Sequence, residues 1–512
     1  MIIWLSATVL VLIIIQFYWS RRHLYAAAAK MKGPKGLPIL GNALAFFCRS
    51  EDILDRIKFI FEYIDNEPSR VWLGPYLLIS LKNPVLLEVK KTEIHIKNWL
   101  LIVVWNFQKI MSSQKFAYKH ELYVFLEKFA GDGLISASGL KPNYKVHRRI
   151  IQPMFDLKFV TKAMPIIHGH INICMKKFSE LVHKDFFDVE KIIGLCSIDI
   201  IADIVMGKKA NLQQKGNTGF CKVKELLNIG FTRMVKVWLH PDFIYNWHPL
   251  KREQDDSLAS VKGFIKEAIG DSKVRRKLDK SDDEFVPVVD TFCKFSDENP
   301  DIFTEEDLVN HLVTLLSASE DTFSIISSFT LLCFGMYPDY QNKAYEEIKT
   351  VIGEENRELS VEDIYKLTYL DMCIKDVMRL FPIAPVILRR TIEDYQLDKW
   401  VIPKGAAIAV PIFFLHRDPE FWDNPEHFHP DHFLPDVAQK RHPYAFMPFS
   451  AGPRGCIGKT LANMEIKMFL VNFLQRFEVE AEGKVPDIKL KTDISVRAKD
   501  GYNCRLKLRK IQ

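Results

Sequence analysis

This sequence predicts a mainly α-helical protein with smaller β sheets, built as one large domain behind an N-terminal transmembrane helix. Three observations lead there. Residues 2–19 are apolar except for Ser6, Thr8 and Gln16, and Arg21 and Arg22 follow at once; a stretch of that length spans a bilayer. The longest amphipathic pattern, residues 304–337, has a helical period, and further helical patterns cover 369–380 and 459–477. The segment 385–410 is rich in valine and isoleucine, with breaks at Pro403 and Gly405, and reads as β structure, and the tail from Pro486 reads as β hairpins. A length of 512 residues is ordinarily enough for about three domains, yet no linker or repeat divides the body. The expected organisation is an anchor over residues 2–20, a hinge over 30–42 and one domain over 43–512.

The elements follow in order. A cleaved signal peptide would carry its positive charge before the apolar run and small residues after it. Here the charge follows, so the segment reads as an uncleaved anchor whose arginines hold the next residues in the cytoplasm. Residues 30–42 contain Gly33, Pro34, Gly36, Pro38 and Gly41, which break a helix and make a hinge. Residues 144–151 read as a basic amphipathic helix, with Lys145, Arg148 and Arg149. In 304–337, Thr304 and Asp307 form a capping-box pattern and Phe303 with Leu308 a hydrophobic staple. Leu308, Leu312, Leu315 and Leu316 form a stripe, and Pro338 ends the helix. Its middle turns small and polar at Ser317-Ala318-Ser319-Glu320-Asp321-Thr322, which lets something flat approach. A buried Asp-Thr pair there needs partners. In 369–380, Asp376 and Arg379 share a helix face. His427, His429 and His432 crowd one segment, but no cysteine or carboxylate arrives with the spacing of a zinc site. That segment reads as a polar meander.

Composition narrows the function. Hydrophobic residues make up 48% of the chain, enough for a large core with an apolar cavity in it. The formal charge of +6 is mild, whereas nucleic-acid binders concentrate basic residues on one face. It leaves room for an acidic membrane or partner protein. The 9 cysteines are scattered, as reduced thiols in a cytosolic body are and a disulfide framework is not.

The chemistry concentrates in Phe449-Ser450-Ala451-Gly452-Pro453-Arg454-Gly455-Cys456-Ile457-Gly458. One cysteine stands in a glycine-rich loop, ahead of a helical stretch. A thiolate is a soft iron ligand, and haem held by one cysteine is pushed toward O–O cleavage. Gly452 and Gly458 let backbone N–H groups turn toward the sulfur and tune it. Phe449 would shield it from water, and Arg454 would pair with a haem carboxylate.

The spacing F-x2-G-x-R-x-C-x-G resembles the haem loop of the cytochrome P-450 monooxygenases, and the likeness runs from the anchor and hinge to the tail. It is most similar to insect microsomal members related to fatty-acid ω-hydroxylases. The resemblance implies non-covalent haem b with Cys456 as axial ligand. It implies that Arg148 and Arg389 join Arg454 on the propionates, with Tyr144 in place of the usual tryptophan and Arg390 as the neighbouring alternative to Arg389. It makes Asp321 and Thr322 the acid–alcohol pair that supplies protons, with Ser319 and Phe323 as departures. Ala318 stands where some relatives carry a haem-esterifying glutamate. Asp376 and Arg379 match a scaffold pair that locks onto a later arginine; here His432 takes that place, and the third charge depends on its protonation.

The implied enzyme is an oxidoreductase that inserts one atom of O2 into an apolar small molecule: a lipid, a hormone-like compound or a xenobiotic. Its electrons come from NADPH through NADPH–cytochrome P-450 reductase, with cytochrome b5 as a further donor. It sits in the endoplasmic reticulum membrane by a single pass, facing the cytosol. Substrate contacts are expected around residues 100–125, 210–240 and 383–388. Two rivals remain open: a haem-thiolate enzyme that rearranges peroxides without a reductase, and a membrane haem protein that senses or binds without turnover. The Asp321–Thr322 pair speaks against the first. The departures at Ser319, Phe323, Asp376 and His432 leave room for the second.

Overall fold

The computed structural model describes residues 2–61, 67–84, 110–140, 143–216, 222–277, 285–353 and 357–509. Parts of two expected substrate segments, residues 100–109 and 217–221, lie outside them.

The helix Glu305–Met336 runs through the body and organises it. Thr304 Oγ1 accepts from the Asp307 N–H at 3.1 Å, and the Asp307 carboxylate accepts from the Thr304 N–H at 3.0 Å, so two orphan donors of the first turn are satisfied. Pro338 opens the next helix, Pro338–Ile352, at the position where its missing N–H costs nothing. Most of the long helix from Leu308 to Gly335 is buried, its serines and threonines along with its apolar residues. It packs against the helices Glu190–Ile204, Thr368–Leu380, Lys459–Leu474 and Lys222–Val235. Accessible surface inside this span lies at Val309 and over 318–322, where only Asp321 is buried.

β structure is small and peripheral. Ser69–Leu73, Tyr76–Ser80, Ala407–Val410 and Ile387–Arg390 form one sheet in that order, with only the middle pair parallel. Two expectations need correction. The helix after Cys456 ends at Leu474, and Phe477 already begins the strand Phe477–Glu480. The tail holds one hairpin, Leu490–Thr492 with Val496–Ala498; its last strand, Asn503–Leu508, pairs instead with Phe477–Glu480 and Phe187–Asp188. Alternation marks a strand, but the partner is set by long-range packing that alternation does not encode.

At the N-terminus, Ile2–Ser20 is followed by Arg22–Ala28. Among the described residues no single helix is long and apolar enough to cross a membrane; Trp4–Ser20 and Arg22–Ala28, bent by 57°, meet that length and composition together. Leu24, Ala28 and Met31 are buried in an apolar cluster with the four-stranded sheet, and Tyr25 stacks on Trp72 at 4.5 Å. The segment after them is non-helical and stitched to the sheet: Lys32 O accepts from Arg70 N at 2.8 Å, and Trp72 O from Asn42 N at 2.7 Å.

Asp376 and Arg379 are fully buried and joined at 2.6 Å. The guanidinium also donates to the carbonyls of His416, Pro425 and His427, so all five of its N–H groups are engaged. His432 Nδ1 faces Asp376 Oδ1 at 2.9 Å and its Nε2 faces Asp423 O at 2.7 Å. The ring therefore bridges the Asp376 carboxylate and the Asp423 carbonyl where the resemblance implies an arginine. Burial pushes the Asp376 carboxyl up, but Arg379 and His432 outweigh it and hold it below the ordinary value. These contacts tie the helix Thr368–Leu380 to the meander that precedes the cysteine loop.

Asp376→Asn keeps the shape and strands the Arg379 charge, so it should cost about 3–5 kcal/mol, read as a lower urea midpoint. Glu465, on the helix after Cys456, is buried with one carboxyl oxygen unbonded, and burial pushes it from 4.5 up to about 8. The folded chain therefore holds a proton that the unfolded chain releases. Stability from this group is intact below about pH 4.5, falls as pH rises and levels off above about 8. Glu465→Gln should remove that fall, widening its advantage over the parent by at most about 1.4 kcal/mol per pH unit, measured as melting temperature across that range.

Candidate haem-thiolate site

The cysteine loop closes on itself. The Cys456 N–H donates to Phe449 O at 2.9 Å, and the Gly455 N–H to Gly452 O at 2.9 Å. Gly452 has φ +67°, and a Cβ there would lie 1.9 Å from Met111 O, so only glycine fits. Ser450 holds φ 58° without being glycine, a strained conformation of the kind found at functional sites. The Gly458 N–H donates to the Cys456 sulfur, which with Arg148 and Lys459 pulls the thiol down against a larger upward push from burial. Yet Cys456 is exposed by accessible area. A thiol that is both accessible and desolvated faces a space enclosed by protein.

Cations surround that space. Arg389 is buried, donating to Leu388 O at 3.0 Å and Ser450 Oγ at 3.2 Å. Arg454 donates to Ala117 O and Ala137 O and lies 3.5 Å over the Tyr144 ring, with Nη1 buried and unbonded. Gly139 admits it, since a Cβ there would lie 2.3 Å from Arg454 Nη2. Arg148 donates to Gly455 O at 2.7 Å and to the Tyr144 hydroxyl at 3.3 Å. Lys119 stands 4.1 Å over the Tyr123 ring; burial, then Arg389 and Arg454, hold its ammonium well below the ordinary value. Burial likewise lowers Arg389, and Arg454 to about 10. Among the described residues no carboxylate pairs with any of the four. Buried charge without a partner is costly, so this cluster suits a ligand that brings carboxylates of its own. A thiol for soft iron beside a ring of cations for two propionates is the donor set that haem requires, and the residues fit it.

On the long helix, Thr322 Oγ1 donates to Ala318 O at 2.8 Å, which leaves its lone pairs free to accept. Asp321 is buried, ion-paired to Arg497 of the tail hairpin and bonded to Ser495 Oγ at 3.3 Å. Arg497 also binds Asp493 at 2.9 Å.

An apolar cavity of about 120 Å³ brings together all three expected substrate segments, with Leu122 and Tyr123, Phe231 and Met234, and Val386 and Leu388 in its wall. Tyr123 and Leu388 also border the cations, and the Leu388 N–H donates to the Tyr123 hydroxyl at 3.4 Å. Strand alternation separates the two arginines: Arg389 enters the cluster, while Arg390 pairs with Glu121 at 2.9 Å on the other face. Phe449 is partly buried against the main core. The histidine segment holds no metal cluster among the described residues.

Sequence reading missed Lys119 and Arg497. Neither carries a motif; Lys119 lies in an irregular segment and Arg497 in a tail hairpin, and only the packing brings them to the site.

The comparisons agree with this geometry. The cytochrome P450 family model matches residues 106–505. Cytochrome P450 4c21 of Blattella germanica is 30% identical over 506 residues, covering 96% of each chain. Cytochrome P450 4c3 of Drosophila melanogaster is 27% identical over 97% of this chain and 92% of its own. Cytochrome P450 4V2 of Mus musculus is 28% identical over 93% and 89%. With a family match over most of its length and a thiol beside cations that have no carboxylate partner among the described residues, the chain belongs to the cytochrome P450 family and is an oxidoreductase, a haem-thiolate monooxygenase.

Proposed function

We propose that this chain inserts one atom of O2 into an apolar small molecule, with electrons from NADPH passed on by a membrane reductase and cytochrome b5 as a further donor. The observation that best supports this reading is the enclosed Cys456 thiol beside four cations that have no acid partner among the described residues. Haem b, bound without a covalent link, supplies the oxygen activation. Cys456 ligates it; the Gly458 N–H tempers the sulfur. Arg148, Arg389, Arg454 and Lys119 hold the propionates, with Tyr144 stacked under Arg454. The apolar cavity selects a lipid-like, hormone-like or xenobiotic molecule and keeps water out. Thr322 accepts a hydrogen bond from a water at the reacting centre and Asp321 supplies protons to it, with Arg497 fixing its position. The apolar helix Ile2–Ser20 holds the enzyme in the endoplasmic reticulum membrane by a single pass, with its body in the cytosol. The exposed cations Lys145 and Arg149 beside the cysteine loop face the acidic surface of the reductase.

Cys456→Ser tests the ligand. The parent should give the strongly red-shifted ferrous–carbonyl Soret band of thiolate ligation, and the variant should lose it; a variant that keeps the band would sink the assignment. Thr322→Ala should leave haem content unchanged and divert NADPH to peroxide, since loss of a placed proton group costs about 10²–10⁴-fold. Ser319 carries a second hydroxyl on the same turn, so Thr322→Ala/Ser319→Gly should fall further in product formed per NADPH. Unchanged ratios in both variants would favour a haem protein without turnover.

A further inference from the structure

Two buried histidines stand outside the scheme above. His147 and His311 keep 3% and 1% of their surface, and His147 Nδ1 lies 3.0 Å from His311 Nε2. On its other side, His147 Nε2 lies 2.9 Å from Ile302 O. That carbonyl only accepts, so Nε2 donates to it, and in the uncharged ring Nδ1 accepts from His311. Phe303 stacks on His311 at 5.4 Å and meets the His147 ring edge-on at 5.1 Å. Burial, then His147, lowers His311 to about 3, so its ring is uncharged. His311 Nδ1 is buried with no hydrogen-bond partner among the described residues. Two apolar side chains would fill this space without that cost, so core packing alone does not account for the pair.

The position of the pair gives it something to hold. In the helix Asn143–Ile151, Tyr144, His147, Arg148 and Ile151 have the i, i+3, i+4, i+7 spacing of an inward stripe, while Lys145, Val146 and Arg149 face out. Among the described residues, the side chains of this helix make polar contacts with the body at two places. One is the cysteine loop, where Tyr144 and Arg148 meet Pro453 O, Gly455 O and Arg454. The other is the start of the long helix, reached by His147 alone. Arg148 follows His147 directly, so a hydrogen bond that stops the short helix turning about its axis also aims the guanidinium. On the long helix, His311 precedes Thr322 by about three turns, and the two share a face to within about 20°.

We infer that His147, held by His311, is a positioning residue for the haem carboxylates: its two hydrogen bonds fix the rotation of the helix Asn143–Ile151 against the helix Glu305–Met336, and so hold Arg148 and Tyr144 in place. This rests on the assignment of Arg148 to a propionate above. Neither ring touches the reacting atoms; the pair acts through Arg148. Outer partners of this kind around a metal site are typically worth about 10–100-fold in affinity.

The test reads haem retention and needs no turnover. Haem transfer to excess apomyoglobin should be about 10–100-fold faster from His147→Leu and from Arg148→Gln than from the parent. The double variant His147→Leu/Arg148→Gln should be little faster than the faster single one, because the second substitution removes an aim already lost. His147→Gln, whose amide can donate to Ile302 O and accept from His311, should recover most of the retention. The midpoint potential of the iron should fall in His147→Leu and Arg148→Gln alike, since a cation held near the haem favours its reduced form. The inference is overturned by rate factors that multiply in the double variant, by parental retention in His147→Leu, or by a His147→Gln no better than His147→Leu; each would mark the pair as packing. If His147→Leu does not fold, His311→Leu, which removes only the donor to Nδ1, carries the same cycle. An Arg148→Gln enzyme with parental retention would instead strike at the propionate assignment, and a parent without the ferrous–carbonyl band at the haem-thiolate reading itself.

Discussion

Lys119, Arg148, Arg389 and Arg454 bring four positive charges toward one enclosed space, and among the described residues no carboxylate answers them. Much of the surrounding structure depends on that imbalance. Each cation is held by backbone carbonyls or aromatic faces, which steady a guanidinium but do not neutralise it. Burial lowers Arg389, Arg454 and Lys119 from their ordinary values, a sign that the protein alone solvates them poorly. A ligand that carries two carboxylates relieves the imbalance, and whatever binds the folded chain alone stabilises it by mass action. Cofactor loading and folding are therefore coupled through these side chains as well as through the thiol.

Two fixed frames hold the space open. The cysteine loop is set by Gly452, pressed against Met111, and by Ser450 in a strained conformation that lets its hydroxyl meet Arg389. Behind it, Arg379 spends every donor on Asp376 and three carbonyls. Breaking a pair so buried leaves a charge that nothing nearby can absorb, which favours one arrangement of meander and loop over looser ones.

The sequence made some of this legible because certain constraints are local. The capping box at Thr304 and the stop at Pro338 are written in neighbouring residues, and the long helix has those ends. The loop around Cys456 was legible because ligand, glycines and Arg454 lie within ten residues. The rest depends on distant segments meeting. Lys119 lies more than three hundred residues from Cys456, and nothing near it marks it as more than a surface lysine. Arg497 reaches Asp321 only because the tail hairpin folds back onto the long helix. The tail strand pairings failed for the same reason, and at the N-terminus hydropathy alone does not show the 57° bend between Trp4–Ser20 and Arg22–Ala28.

That bend also decides where the apolar N-terminal helix can be cut away. Leu24, Ala28 and Met31 are buried against the four-stranded sheet and Tyr25 stacks on Trp72, so Arg22–Ala28 belongs to the body, unlike the exposed apolar helix Ile2–Ser20. A chain shortened by that helix is best begun near Arg21. Starting instead at the glycine- and proline-rich segment would bare the apolar side of the sheet and trade one insoluble surface for another.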